Sequence, residues 1–287
     1  MNRDILERLD FSYDDTERLD LGATHLYWEL RGETGPGLTV INNWFMVAPS
    51  WRSVTRQLET KTRILTYDLR NQGASARTAL DPTWEDHLGD LASVISRAGL
   101  SETYLLGSSQ ATCLCRDFAL RHPSTVKGLI LIGPGFGPRG MTRQRRLANS
   151  WLTTLDNLGM GPLFDHVYPT VFGDELIESV GEKGYELLRE TFLTLHSAEE
   201  IRGGLTVSFE VDPDPTLLEQ VATPTLVLVG DNDFLTGAAD AEAIAKRLPD
   251  ARAIVLPGAA HLPFLEATDA FETAVCEFIE EIEARSG

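Results

Sequence analysis

Apolar positions along the chain fall into two regimes. Six short runs, "LTVIN" (38–42), "ILTYDL" (64–69), "TYLLG" (103–107), "KGLILIG" (127–133), "TLVLVG" (225–230) and "RAIVLPG" (252–258), are nearly continuous in Val, Ile and Leu. Such runs predict strands buried on both faces, as in a parallel sheet. Two earlier segments, around "ERLDL" and "HLYWELRG", alternate polar with apolar and predict an antiparallel hairpin at the sheet edge. Between the runs the apolar spacing turns helical. "PTWEDHLGDLASVISRAGL" opens on a capping Thr83, with Asp86 near the positive end of the helix. "ADAEAIAKRLPD" ends at Pro249, and the last pattern puts Phe271, Val275, Phe278, Ile279 and Ile282 on one stripe with glutamates opposite.

Strand–helix alternation of this kind predicts an α/β fold, a mostly parallel, eight-stranded sheet with helices on both faces. The rhythm breaks once. Residues 138–214 carry no strand pattern, only helical periodicity with turns expected at "GMGP", "FGDE" and "GEKG". The segment is too long for a crossover and too patterned for disorder. It predicts a helical cap, 138–214, inserted between strands six and seven of a core formed by 1–137 and 215–287.

Composition narrows the partners. The formal charge of −18 repels nucleic acid and anionic membrane surfaces. No apolar run approaches the roughly 20 residues that cross a bilayer. "MNRDILERLD" lacks the apolar core of a secretory signal, so a cytoplasmic protein is expected. Of three cysteines, Cys113 and Cys115 lie two apart on a predicted helix and point to different faces. With Cys276 they read as core residues, and no His, Cys and carboxylate cluster has metal-ligand spacing.

Chemistry is concentrated at three predicted strand ends. In "LLGSSQAT" a strand meets a helix through a turn so sharp that the residues two before and two after the apex must be small. Gly107 and Ala111 satisfy this for Ser109 and not for Ser108, and the same turn aims the Gln110 N–H at a developing oxyanion. A serine needs a base. Of six histidines only His261, in "LPGAAHLPFLE", follows a strand at that same sheet edge. His122 ends the helix that starts beyond Ser109 and reads as a cap; His25, His87, His166 and His196 read as surface or packing residues. A third strand end, "LVLVGDNDFLTG", offers Asp231 and Asp233. Asp233 stands farther into the loop and suits the orienting carboxylate, whereas Asp231 suits a turn.

These motifs resemble the capped α/β-hydrolase family along essentially the whole chain. "ILTYDLRNQGAS" is similar to its strand followed by Asp-x-x-Gly-x-Gly-x-Ser, and the segments around Asp233 and His261 to its acid and histidine loops. The resemblance implies a Ser109, Asp233, His261 triad, no cofactor, and cleavage of an ester, thioester, amide or carbon–carbon bond. It departs after "LTVI", where the family usually has His-Gly-x and this chain has Asn42, Asn43 and Trp44. Asparagine tolerates positive φ, so Asn43 is expected to replace the glycine and Trp44 to donate the second oxyanion N–H, its indole lining the pocket. The plainer alternative is that Asn42 and Asn43 only satisfy loop backbone groups. An Asn here also resembles acyltransferases that handle hydroxyacyl chains on carrier proteins.

The cap carries Trp151, Leu155, Leu158, Met160, Leu163, Phe164, Tyr168 and Phe172, which either wall a substrate pocket or form the cap's own core. Trp151 and Phe164, with Asn42 and Asn43, are the substrate contacts expected. Arg139, Arg143, Arg145 and Arg146 gather at the cap's start, either a solvated face or a landing site for a carboxylate, CoA phosphates or an acidic carrier protein. The expected function is a serine hydrolase acting on a small-to-medium, mainly apolar ester, lactone or thioester through an acyl-enzyme. Three alternatives stay open: an acyltransferase using CoA- or carrier-bound chains, a carbon–carbon hydrolase or lyase, and a non-catalytic ligand-binding module.

Overall fold

β1 (Arg18–Asp20) and β2 (His25–Arg31) pair antiparallel, as the alternating polar pattern predicts. The computed structural model describes residues 9–13, 18–22 and 24–286. β3 (Gly37–Ile41), β4 (Arg63–Tyr67), β5 (Thr103–Ser108), β6 (Val126–Ile132), β7 (Thr225–Gly230) and β8 (Ala251–Leu256) run parallel to one another. The strand order is β1-β2-β4-β3-β5-β6-β7-β8, and β2 joins β4 antiparallel. β3, β5 and β7 are buried at every residue, while β8, an edge strand, is half-buried except at Leu256. A continuous apolar run therefore marks the sheet's interior and its last strand alike.

The longer helices, in chain order, are α1 (Trp84–Arg97), α2 (Ala111–Arg121), α3 (Thr142–Leu158), α4 (Met160–Val171), α5 (Asp174–Leu195), α6 (Ala198–Val207), α7 (Ala238–Ala245) and α8 (Thr268–Ser286). Thr83 and Asp86 form a reciprocal capping box at the start of α1. α1, α2 and α7 cover one face of the sheet through Leu91, Val94, Phe118 and Ile244. α8 covers the other through Phe271, Val275, Phe278, Ile279 and Ile282, the stripe read from the sequence. Each such side chain contributes on the order of 1.5–3 kcal/mol when fully buried. Cys113, Cys115 and Cys276 are buried and free. No helix among the described residues is long and apolar enough to cross a membrane.

α3 to α6 lie between β6 and β7 in sequence. The turn expected at "GEKG" is a kink within α5: Gly181 is non-helical (φ 57°, ψ −165°), and two helical segments meet there. Glycine supplies the positive φ without a steric cost, so the chain can bend sharply between them. The parallel strands all end on one sheet edge, the edge at which open α/β sheets bind ligands.

Candidate active site

Ser109 stands where β5 turns into α2. Its φ is 57°, and among the described non-glycine residues only Asn71 shares a positive value. Holding a serine there costs on the order of 1–3 kcal/mol, which the surroundings must offset. The Ser109 carbonyl accepts hydrogen bonds from Gly135 N (3.0 Å), Thr112 N (3.1 Å) and Thr112 Oγ1 (2.6 Å), and its own N–H donates to Ile132 O at 2.8 Å. A methyl at Gly107 would lie 2.7 Å from Cys115 Sγ and 2.8 Å from the Ala111 carbonyl carbon. The small residue expected two before Ser109 is thus a steric requirement of the turn.

Asp233 and His261 are both buried, and His261 Nδ1 lies 2.9 Å from Asp233 Oδ2. The other carboxylate oxygen, Oδ1, accepts from Leu235 N (2.8 Å) and Thr236 N (2.9 Å), which fixes the plane of the group. Asp231 instead accepts from Gly258 N at 2.9 Å, the turn role the sequence implies. With its proton on Nδ1, His261 keeps the Nε2 lone pair; Nε2 is buried without a hydrogen-bond partner among the described residues. Ser109 Oγ thus makes no hydrogen bond to it, as is common before substrate binds. Gly133 (φ 49°) passes so close that a methyl there would lie 2.7 Å from His261 Cε1.

Glu266 escaped the sequence reading. Its Oε2 accepts from Ala260 N and its Oε1 from Gly173 N, both at 2.6 Å, bracing the histidine loop against the cap. Burial pushes its carboxyl above the ordinary range. The His261 N–H adds a second tie, to Val171 O of α4 at 3.1 Å. Nothing local in "HLPFLE" marks that role, because both partners are backbone groups.

The loop after β3 departs from expectation. Asn42 is fully buried and does not reach the cavity: its Nδ2 donates to Tyr67 O (3.0 Å) and Gln72 Oε1 (3.0 Å), and its Oδ1 accepts from Trp51 Nε1 (2.8 Å). It is a brace, not a substrate contact. Asn43 lines the cavity but does not take a positive φ; its Oδ1 accepts from Phe45 N at 2.9 Å, an Asx turn that shapes the loop without a glycine. Gln72, also unread from the sequence, donates to Asn43 O at 2.8 Å. Buried Asp68 accepts from Ala48 N (2.7 Å) and Ala74 N (2.8 Å), and burial raises its pKa to about 6. Asn71, where the family often has glycine, takes φ 64°. The N–H groups of Trp44 and Gln110 have no acceptor among the described residues. Trp44 lines a side lobe of the cavity beneath the cap, and its indole donates to Ser208 Oγ at 2.7 Å and packs on Gly204 of α6.

Ser109, Asn43 and His261 open into a cavity of about 150 Å³ beneath the cap, with a side lobe of about 60 Å³ toward Gln110 and Gln144. Trp151 and Phe164 are in its wall, as expected, and so are Tyr168 and Phe172. Leu155 and Leu163 pack inside the cap instead, and Leu158 is exposed. The cap's apolar residues thus divide between the two roles. His196 lines the cavity as well, against the packing role read from sequence. Of the cap arginines, Arg145 is absorbed by the carbonyls of Phe209 and Val211.

A family profile described as the alpha/beta hydrolase fold matches residues 37–268. The chain is 27% identical over 263 residues to a pimeloyl-[acyl-carrier protein] methyl ester esterase from Edwardsiella ictaluri, covering 89% of this chain and 97% of that one. Among solved structures it is similar to an enol-lactonase from Burkholderia xenovorans, with TM-score 0.79 and 21% identity over 92% of this chain and 99% of the other. A thermophilic esterase from Thermogutta terrifontis gives 0.80 and 24% over 93% and 99%. Sheet order, the strand-end loops and the profile agree, and the chain belongs to the α/β-hydrolase fold family.

Proposed function

We propose that the protein is a serine hydrolase that cleaves a mainly apolar ester, lactone or thioester through an acyl-enzyme, with residues 138–214 as its lid. Ser109 Oγ attacks the carbonyl carbon as His261 Nε2 takes its proton, and Asp233 orients the ring and stabilises its charged form. The Trp44 and Gln110 N–H groups receive the oxyanion. His261 returns the proton to the leaving alcohol or thiol, then deprotonates the water that releases the acid. The carrying observation is the buried Asp233–His261 pair at 2.9 Å, whose histidine lines the same apolar cavity as Ser109. The methyl ester esterase relative supports the same bond type.

The test is a fluorophosphonate probe with a panel of p-nitrophenyl esters. Wild type should be labelled at Ser109, and Ser109→Ala should lose labelling and at least about 10³-fold in kcat. A folded wild-type chain that stays unlabelled and inert overturns the reading; a transfer product in place of free acid, with an alcohol present, turns it into an acyltransferase.

The acyl donor we propose is carried on an acidic protein. Arg139, Arg143 and Arg146 are exposed and have no carboxylate partner among the described residues of a chain charged −18. The relative named for a carrier-protein substrate points the same way.

A further inference from the structure

Phe45 stands beside Ser109 in both lobes of the cavity. From it the wall steps to Phe192 and then to His196, with ring centroids 6.0 and 5.1 Å apart. The wall along this path is aromatic until it ends on an ionisable group. His196 is almost wholly buried, and its Nδ1 lies 2.7 Å from Glu200 Oε1. Glu200 is itself held: its Oε2 accepts from Arg77 at 3.0 Å and from Ser197 N at 3.4 Å. The imidazole orientation is therefore fixed from behind, and Nε2 is the nitrogen left for a ligand in the cavity.

A buried acid–base pair is a poor way to stabilise an apolar wall. Replacing such pairs by packed hydrocarbon is often neutral or favourable, and departures of that kind concentrate at functional positions. A bonded ring nitrogen paired with a free one is also what a binding group needs, since the first sets the direction of the second.

We propose that His196 is a specificity-determining residue, binding an oxygen function at the far end of the acyl chain whose carbonyl sits at Ser109. The inference rests on the hydrolase reading above and adds the substrate class: esters of ω-hydroxy or ω-carboxy acids. A neutral imidazole accepts from a hydroxyl; an imidazolium donates to a carboxylate. Both place the oxygen at Nε2.

The experiment compares methyl esters of plain, ω-hydroxy and ω-carboxy acids at matched lengths from four to ten carbons, using the full chain. One band of lengths should show a preference of about 10-fold or more in kcat/KM for an oxygenated ester, carried by KM. His196→Phe should bring that ratio close to one, and His196→Gln should retain part of it. Whether the ω-carboxy or the ω-hydroxy ester carries the preference identifies the group bound. Wild type hydrolysing all three classes without discrimination overturns the proposal, as does a ratio that survives His196→Phe. A ratio lost instead in Tyr168→Phe, whose Oη is also buried and unpartnered in this wall, overturns it too. Thermal melting checks that each variant folds; should His196→Phe fail, Glu200→Gln, which loosens the ring's anchor, takes its place. If no ester is cleaved and Ser109 is not labelled, it is the hydrolase reading that has failed.

Discussion

The floor and the roof of the cavity are held by different physics. On the floor, Ser109, Asp233, His261 and Asn43 sit at strand ends, each fixed by named hydrogen bonds of 2.6–3.1 Å to partners in β6, α2, the adjoining loops and, for His261, α4. In the roof, Trp151, Phe164, Tyr168 and Phe192 meet through ring contacts at 5.2–6.0 Å centroid separation with Phe45, Tyr185 and one another. Hydrogen bonds impose direction, whereas aromatic packing tolerates sliding and repacking. The floor is built for a fixed geometry and the roof for a shape.

The sharpest way to break that contrast is to add one carbon to the floor. Gly133→Ala puts a methyl 2.7 Å from His261 Cε1 at a residue with φ 49°. The ring has to shift, and kcat should fall by about 10²-fold, because a displacement of 1 Å can cost that much. Stopped-flow hydrolysis with thermal melting tells this from unfolding. An active Gly133→Ala would mean that the floor has the roof's tolerance.

This difference also decides what the sequence could tell. Ser109, Asp233 and His261 are legible because each follows a strand whose apolar run is unmistakable, and because Gly107 and Ala111 satisfy a local steric rule. Asn42 was misread for the same reason: its position in the chain matches an oxyanion loop, but its partners Tyr67, Gln72 and Trp51 are 9–30 residues away. Glu266 and Gln72 carry no signal in the sequence, and His196 reads there as a surface or packing residue, because their roles exist only after the cap and loops meet. In the roof, periodicity finds apolar positions and cannot say which of them line a cavity: Phe164 does and Leu163, its neighbour, does not.

Gln72→Leu probes the floor one layer deeper. It removes the donor to Asn43 O and the acceptor for Asn42 Nδ2 and Leu69 N, with bonds of 2.8, 3.0 and 3.2 Å. Leaving those groups buried and unpaired costs about 1–3 kcal/mol. A fall in kcat of about 10–100-fold at little changed KM is the expected outcome, since the loop it releases carries the Trp44 N–H. The roof should answer the other way. Phe164→Ala enlarges the cavity without touching the strand ends, so KM for an apolar ester should rise by roughly 10-fold with kcat little changed. Paired steady-state curves on one ester decide both; an equal kcat loss in the two variants would erase the distinction.

The smallest effect lies where floor meets roof, at another buried histidine. His261 has a carboxylate for its Nδ1, but His87, packed against the Trp44 indole at 5.5 Å between ring centroids, has no hydrogen-bond partner at either nitrogen among the described residues. Burial, with some repulsion from Arg70 and a weaker opposing pull from Asp86, lowers its pKa from 6.5 to about 4. Arg70, Arg77, Asp81, Glu199 and Glu200 border the polar cavity it lines. Between pH 6.5 and 4 the unfolded chain binds a proton that the folded chain refuses, so stability rises with pH across that window. The contribution is complete above 6.5 and drains away as the pH falls toward 4. It should amount to a loss on the order of 1 kcal/mol by pH 5.5. Asp68, whose pKa is raised to about 6 by burial, works in the opposite sense over an overlapping range, so the wild-type profile alone mixes the two. His87→Phe keeps the ring against Trp44 and removes the titration. Urea melts of both proteins at pH 7 and 5.5 should show wild type losing about 1 kcal/mol more than the variant; parallel losses would mean that His87 accepts its proton within the fold.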